Sequence, residues 1–71
     1  MAIDKEQVIE QLKSDVPYLR ARAIYLLGEE GYFDSDCIAA VRELLNDNAQ
    51  VPMVGTVADV AKSYIDNTNA A

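Results

Sequence analysis

DVPYLRARAIYLLGEEG, from Asp15 to Gly31, is the stretch whose reading decides the fold. Val16, Leu19, Ala23, Leu26 and Leu27 recur at helical spacing, and Ile24 widens the stripe. Pro17 suits a first helical turn, where its missing N–H would have found no partner. Gly31 suits the left-handed position just past a helix end. The stretch therefore predicts a helix over about residues 17–30. Arg20 breaks the pattern. It falls beside Ile24 and Leu27, inside the apolar arc, and a guanidinium there needs a carboxylate or carbonyl partner because an unpaired buried charge is costly.

Before this helix, Asp4 is placed to cap a shorter one, with Gln7 completing a capping box and Ile3 and Val8 in staple positions. That helix carries Val8, Ile9 and Leu12 inward and ends near Lys13. Ser14-Asp15-Val16-Pro17 is the break, since the residue before proline avoids the helical region. After Gly31, Ser35 is the expected cap of a third helix that buries Cys37, Ile38, Val41, Leu44 and Leu45. Asn46-Asp47-Asn48 is a stop with strong turn chemistry. Pro52 is expected to open the fourth helix, with Val54, Val57, Ala58, Ala61 and Ile65 in one stripe and Met53, Val60 and Tyr64 broadening it. No stretch reads as a strand. The expected architecture is all-α, a single domain over 1–71 with helices near 4–13, 17–30, 36–46 and 52–66, and a fraying tail at 67–71.

Seventy-one residues, 51% of them apolar, make one small globular domain near the lower limit for folding alone. No apolar run approaches the ~20 residues needed to cross a bilayer, and MAIDKEQV lacks the layout of a secretory leader. Twelve acidic against six basic residues give a net charge of −6. That repels phosphates and anionic lipid, so neither nucleic acid nor a membrane surface is expected as a partner. Cys37 is the lone cysteine, which excludes an internal disulfide and suggests a reducing, cytoplasmic setting.

Reactive chemistry is sparse in this sequence. The absence of histidine excludes Ser-His-Asp and Cys-His arrangements and imidazole zinc sites. Cys37 lies on an apolar stripe, where a thiol is an inert small hydrophobe. Glu29, Glu30, Asp34 and Asp36 form the densest acidic patch but lack the glycine and distal glutamate of a calcium loop. The three glycines match neither a phosphate loop nor a dinucleotide fingerprint. No catalytic, cofactor or metal site is expected, and the chain does not read as an enzyme.

Asp15–Leu19 and Asp47–Val51 share a layout 32 positions apart, the spacing of helix-pair repeats. The sequence resembles the short HEAT-like repeats named for phycobilin lyases. Leu19-Arg20 stand at that pattern's valine–arginine positions, Ala23-Ile24 at its alanine pair, and Leu27-Gly28 at its leucine–glycine pair. Gln11 to Asp15 and Glu43 to Asp47 look like the endings of its second helix. The second copy departs from the pattern, with Pro52 in place of the arginine and Gly55-Thr56 in place of alanines. The resemblance implies a four-helix fragment of a right-handed α-solenoid. It also implies a structural Arg20 paired with Asp15 or Asp47.

Two surfaces remain as candidates. Tyr18, Arg22, Tyr25 and Glu29 form a stripe on the second helix, which Tyr32 and Phe33 could extend. It reads either as cover for the flank of the core or as a protein-binding face, since tyrosine and arginine are favoured at interfaces. On the fourth helix, Val57, Val60 and Tyr64 either pack on the third helix or remain open for self-association as a homodimer. The function implied by the resemblance is non-catalytic protein–protein interaction. The alternative is an acidic inhibitor or nucleic-acid mimic that occupies a basic groove. An accessory role in bilin handling is a third reading.

Overall fold

A computed structural model describes residues 4–69. The elements run α1 (Lys5–Gln11), α2 (Pro17–Glu29), α3 (Ser35–Arg42), β1 (Gln50–Val51), β2 (Gly55–Thr56) and α4 (Val57–Asn69). The fold is mostly helical, and α2 is its centre: it packs against α1, α4 and β1, while α3 packs on α4. Among the described residues no helix is long and apolar enough to cross a membrane.

Each helix end has a visible cause. Asp4 caps α1 by accepting the Glu6 N–H at 3.0 Å. Gln7 makes no reciprocal bond among the described residues, and the expected staple residue Ile3 lies outside them. At the C-terminal end of α2, Gly31 has φ +75°, the Gly31 N–H donates to the Gly28 carbonyl at 3.2 Å, and the Tyr32 N–H to that of Leu27 at 2.9 Å. This is a Schellman ending, which satisfies carbonyls the helix would leave bare. In α3 the cap position belongs to Asp34 rather than Ser35. Its carboxylate does not cap, because it accepts from Lys5 Nζ at 2.7 Å and so ties α1 to α3.

The expectation of no strand is wrong between residues 50 and 56. Gln50 pairs with Thr56 and Val51 with Gly55 in an antiparallel hairpin. Pro52 therefore opens a turn instead of a helix. The Val54 N–H donates to the Val51 carbonyl at 3.1 Å, and Met53 stands at φ +66°, the positive φ that a type II turn requires at its third residue. The fourth helix begins only at Val57. It also continues past the expected fraying point, through Asn69.

The core gathers Val8 and Leu12 from the α1 side, Ala21, Ala23, Ile24 and Leu27 from α2, Cys37 and Val41 from α3, Val51 from β1, and Val57, Ala61 and Tyr64 from α4. Three residues assigned to the apolar stripes, Val16, Met53 and Val54, do not join it, and Met53 at the hairpin turn is fully exposed. Val16 precedes the first turn of α2 and is 48% exposed, and Val54 sits in the hairpin at 52%. Leu19 and Leu26 are half-buried. Ala21, outside the expected stripe, is buried because the hairpin and α4 cover a second side of α2.

Candidate functional site

A strongly apolar depression lies between α2, the hairpin and α4. Tyr18, Ala21, Arg22, Tyr25 and Leu26 form its α2 wall, Val51 and Val54 its hairpin wall, and Val60 its α4 wall, around about 320 Å³. Tyr25 and Val60 also border a more polar depression of about 290 Å³, which continues to Glu29, Ser63 and Asn67. Sharing Tyr25 and Val60, the two make one bipartite groove, apolar at the Tyr18 end and mixed in character at the Glu29 end.

The α2 wall follows from helical spacing. Tyr18, Arg22, Tyr25 and Glu29 succeed one another by four, three and four residues and so share a face. Tyr18 and Tyr25 remain 57% and 60% exposed. The Glu29 carboxylate, first as hydrogen-bond acceptor and then as charge, pushes the Tyr25 phenol above its ordinary value. Among the described residues neither Arg22 nor Glu29 has an ion-pair partner.

The hairpin wall is held from behind by Arg20. Its Nε donates to Asp47 Oδ2 at 2.8 Å and its Nη2 to Asp47 Oδ1 at 3.3 Å, while Nη1 donates to the Ser14 carbonyl at 2.7 Å. Both side chains of the pair are only 16% exposed. Asp15 lines the same crevice but is exposed and takes none of these bonds. Asp47 in turn organises the entry to the hairpin and to α4. Its Oδ1 accepts from the Ala49 N–H at 3.1 Å, and its carbonyl accepts from the Ala58 N–H at 2.8 Å. The Val57 N–H donates to the Ala49 carbonyl at 3.0 Å. Burial alone would raise the Asp47 pKa. The hydrogen bonds from Arg20 and Ala49 and the charge of Arg20 outweigh burial and hold it below the usual carboxylate range.

The step from hairpin to α4 is a capping box. Thr56 Oγ1 accepts from the Asp59 N–H at 3.1 Å, and Asp59 Oδ2 accepts from the Thr56 N–H at 3.0 Å. With the Asp47 and Ala49 carbonyls, this satisfies the first donors of α4. Gly55 is forced here twice over. Its φ is +118°, and a Cβ would lie 2.7 Å from Asp59 Oδ2.

The remaining expected surface residues go elsewhere. Val57 is fully buried and Tyr64 is 3% exposed, because α4 packs on both α2 and α3. The fourth-helix patch is thus largely buried: Val60 reaches the apolar depression, and Tyr64 borders only the more polar one. Tyr32 and Phe33 line neither depression. The Tyr32 carbonyl accepts from the Tyr64 hydroxyl, and the Phe33 ring lies 5.1 Å from that of Tyr64. Burial pushes the Tyr64 phenol up to about 12. Cys37 is fully buried, and desolvation raises its thiol, the opposite of an activated nucleophile.

Val51 and Val54 are among the groove residues that sequence reasoning misses. Their signal is present: QVPMVGT places branched residues on both sides of a Pro-Met pair with a glycine close behind, a hairpin pattern. Thr56-x-x-Asp59 likewise marks the true start of α4.

No protein family, curated protein or solved structure matches this chain.

Proposed function

We propose that the chain is a small, non-catalytic protein–protein interaction module that binds through the groove between α2, the hairpin and α4. The observation that carries this reading is the grouping of Tyr18, Tyr25, Met53 and Val54, four of the six exposed large apolar side chains among the described residues, on or beside one groove. Such side chains cost solvation in the free protein and repay it when a partner covers them. Arg22 and Glu29 add a polar rim that fixes orientation.

We further propose that the helices are a fragment of a HEAT-like solenoid, with α1 and α3 as second helices of successive pairs and α2 and α4 as first helices. The packing of α2 on α4 supports this order, as do the Lys5–Asp34 tie between α1 and α3 and the Arg20–Asp47 tie between α2 and the segment after α3. The hairpin is then an insertion between α3 and α4.

The test is affinity capture with wild type and Tyr25→Glu at low and moderate salt, with circular dichroism on both to verify folding. The reading predicts a partner retained at moderate salt by wild type and lost by the variant. A partner lost with salt and indifferent to Tyr25 would overturn it in favour of an acidic inhibitor that seeks a basic groove.

A further inference from the structure

Resting on the groove as an interaction surface, we infer that its occupant is a second copy of the chain, paired through α2 about a two-fold axis. The inference comes from the order of residues along the exposed stripe. Tyr18, Arg22, Tyr25 and Glu29 are separated by four, three and four positions, a spacing that reads the same from either end. Two such helices laid antiparallel bring Tyr18 opposite Glu29 of the other copy and Arg22 opposite Tyr25 of the other copy.

Both juxtapositions are chemically matched. A phenol hydroxyl donates to a carboxylate, and a guanidinium stacks on a tyrosine face. Had Glu29 been an arginine or a lysine, Tyr18 would have lost its acceptor and the stripe would have carried two cations against none of the opposite sign. The stripe is self-complementary in the sense that a two-fold interface demands, each residue meeting its counterpart twice. At a rise of 1.5 Å per residue it runs about 16 Å, the length of a short helix–helix contact.

A stable pair buries about 800 Å² from each copy, roughly a sixth of the 4771 Å² surface of the described chain. The groove face is the part of that surface best able to supply apolar area. Tyr18, Tyr25 and Val54 stand open there and Met53 follows at the hairpin tip. Neither Arg22 nor Glu29 is ion-paired within the described residues, and Glu29, which neighbours the Tyr25 phenol of its own copy, has a second carboxylate oxygen for Tyr18 of the other.

Charge gives the pairing a recognisable signature. Each copy carries −6, so long-range repulsion opposes association and salt relieves it. Dimerisation should strengthen as salt rises. Binding of an acidic protein to a basic target would weaken.

Sedimentation equilibrium on the full chain tests this, from micromolar to near-millimolar concentration, at low and moderate salt. Wild type is expected to show a monomer–dimer equilibrium that shifts toward dimer with salt. Tyr25→Glu and Arg22→Glu should each raise the dissociation constant at least ~30-fold, the loss typical of a central interface residue, with helical circular dichroism retained. Lys62→Glu, a charge reversal on an exposed residue that lines neither depression, controls for net charge and should change it little. A strictly monomeric wild type would overturn the inference, as would a dimer indifferent to both α2 variants. The parent reading fails separately: a monomer that still captures a partner through Tyr25 leaves the groove as an interaction site and removes only the second copy.

Discussion

Val16-Pro17 and Val51-Pro52 are the same dipeptide, the first directly after Asp15 and the second four positions beyond Asp47, yet they begin different structures. Pro17 enters α2 at once, with the Leu19 and Arg20 N–H groups donating to the Val16 carbonyl. Pro52 turns a hairpin, and helix resumes only at Val57. A proline φ near −65° suits both a first helical turn and the second position of a tight turn, so proline alone does not choose. The next few residues decide. Tyr18-Leu19-Arg20-Ala21 contains good helix formers, whereas Met53-Val54-Gly55 brings a branched residue and a glycine held at φ +118°. The two regions are then joined by one ion pair, Arg20 of the first with Asp47 ahead of the second.

Breaking that joint should have the largest effect. Arg20→Ala leaves the largely buried Asp47 carboxylate without its guanidinium and frees the loop that caps α4, at a cost of about 2–3 kcal/mol given that the pair keeps some exposure. In a domain of this size that lowers the melting temperature by roughly 10–20 °C in circular dichroism. An unchanged melt would remove Arg20 from its structural role. Asp47→Asn adds a pH signature. The folded state holds the Asp47 carboxyl below its unfolded value, so its contribution is present above about pH 4 and is lost as pH falls through the folded value. The stability gap between wild type and Asp47→Asn should close on acidification.

Next come the two left-handed glycines, one in each region. Gly31 has φ +75° with nothing within 4 Å of an added Cβ, so Gly31→Ala costs only conformational strain, about 1 kcal/mol. Gly55→Ala meets strain and the Asp59 carboxylate together, and about 2 kcal/mol is expected from urea titration. Equal costs at the two sites would mean that the capping box yields freely. The smallest change has the opposite sign. Met53→Gly relieves a non-glycine residue at φ +66° and should stabilise the chain by about 1 kcal/mol or less.

The contrast between the two prolines also explains what the sequence disclosed and what it withheld. The helix α2 was legible because periodicity, Pro17 and Gly31 agree, and the need of Arg20 for a partner followed from its place in the apolar arc. The α2 wall of the groove was legible for the same reason, since one helical face needs only spacing. The hairpin was not, because the alternation of Val51, Met53 and Val54 is too short to separate from helical spacing, and Pro52 reads by analogy with Pro17 as a helix start. That error moves the start of α4 from Val57 back to Pro52 and hides the Thr56–Asp59 box. The sequence also does not decide whether Val57 and Tyr64 pack inward or stay open for self-association. Burial of those two depends on how α4 meets α2 and α3, a tertiary fact that no local pattern contains.

Arg20 and Asp47 hold a hairpin against α2 and so build an apolar groove, and nuclear Overhauser contacts in the wild-type protein probe that arrangement without any substitution. Cross-peaks are predicted from the Val51 and Val54 methyls to the Tyr18 and Tyr25 rings. Their absence, with α2 and α4 still helical by chemical shift, would contradict it.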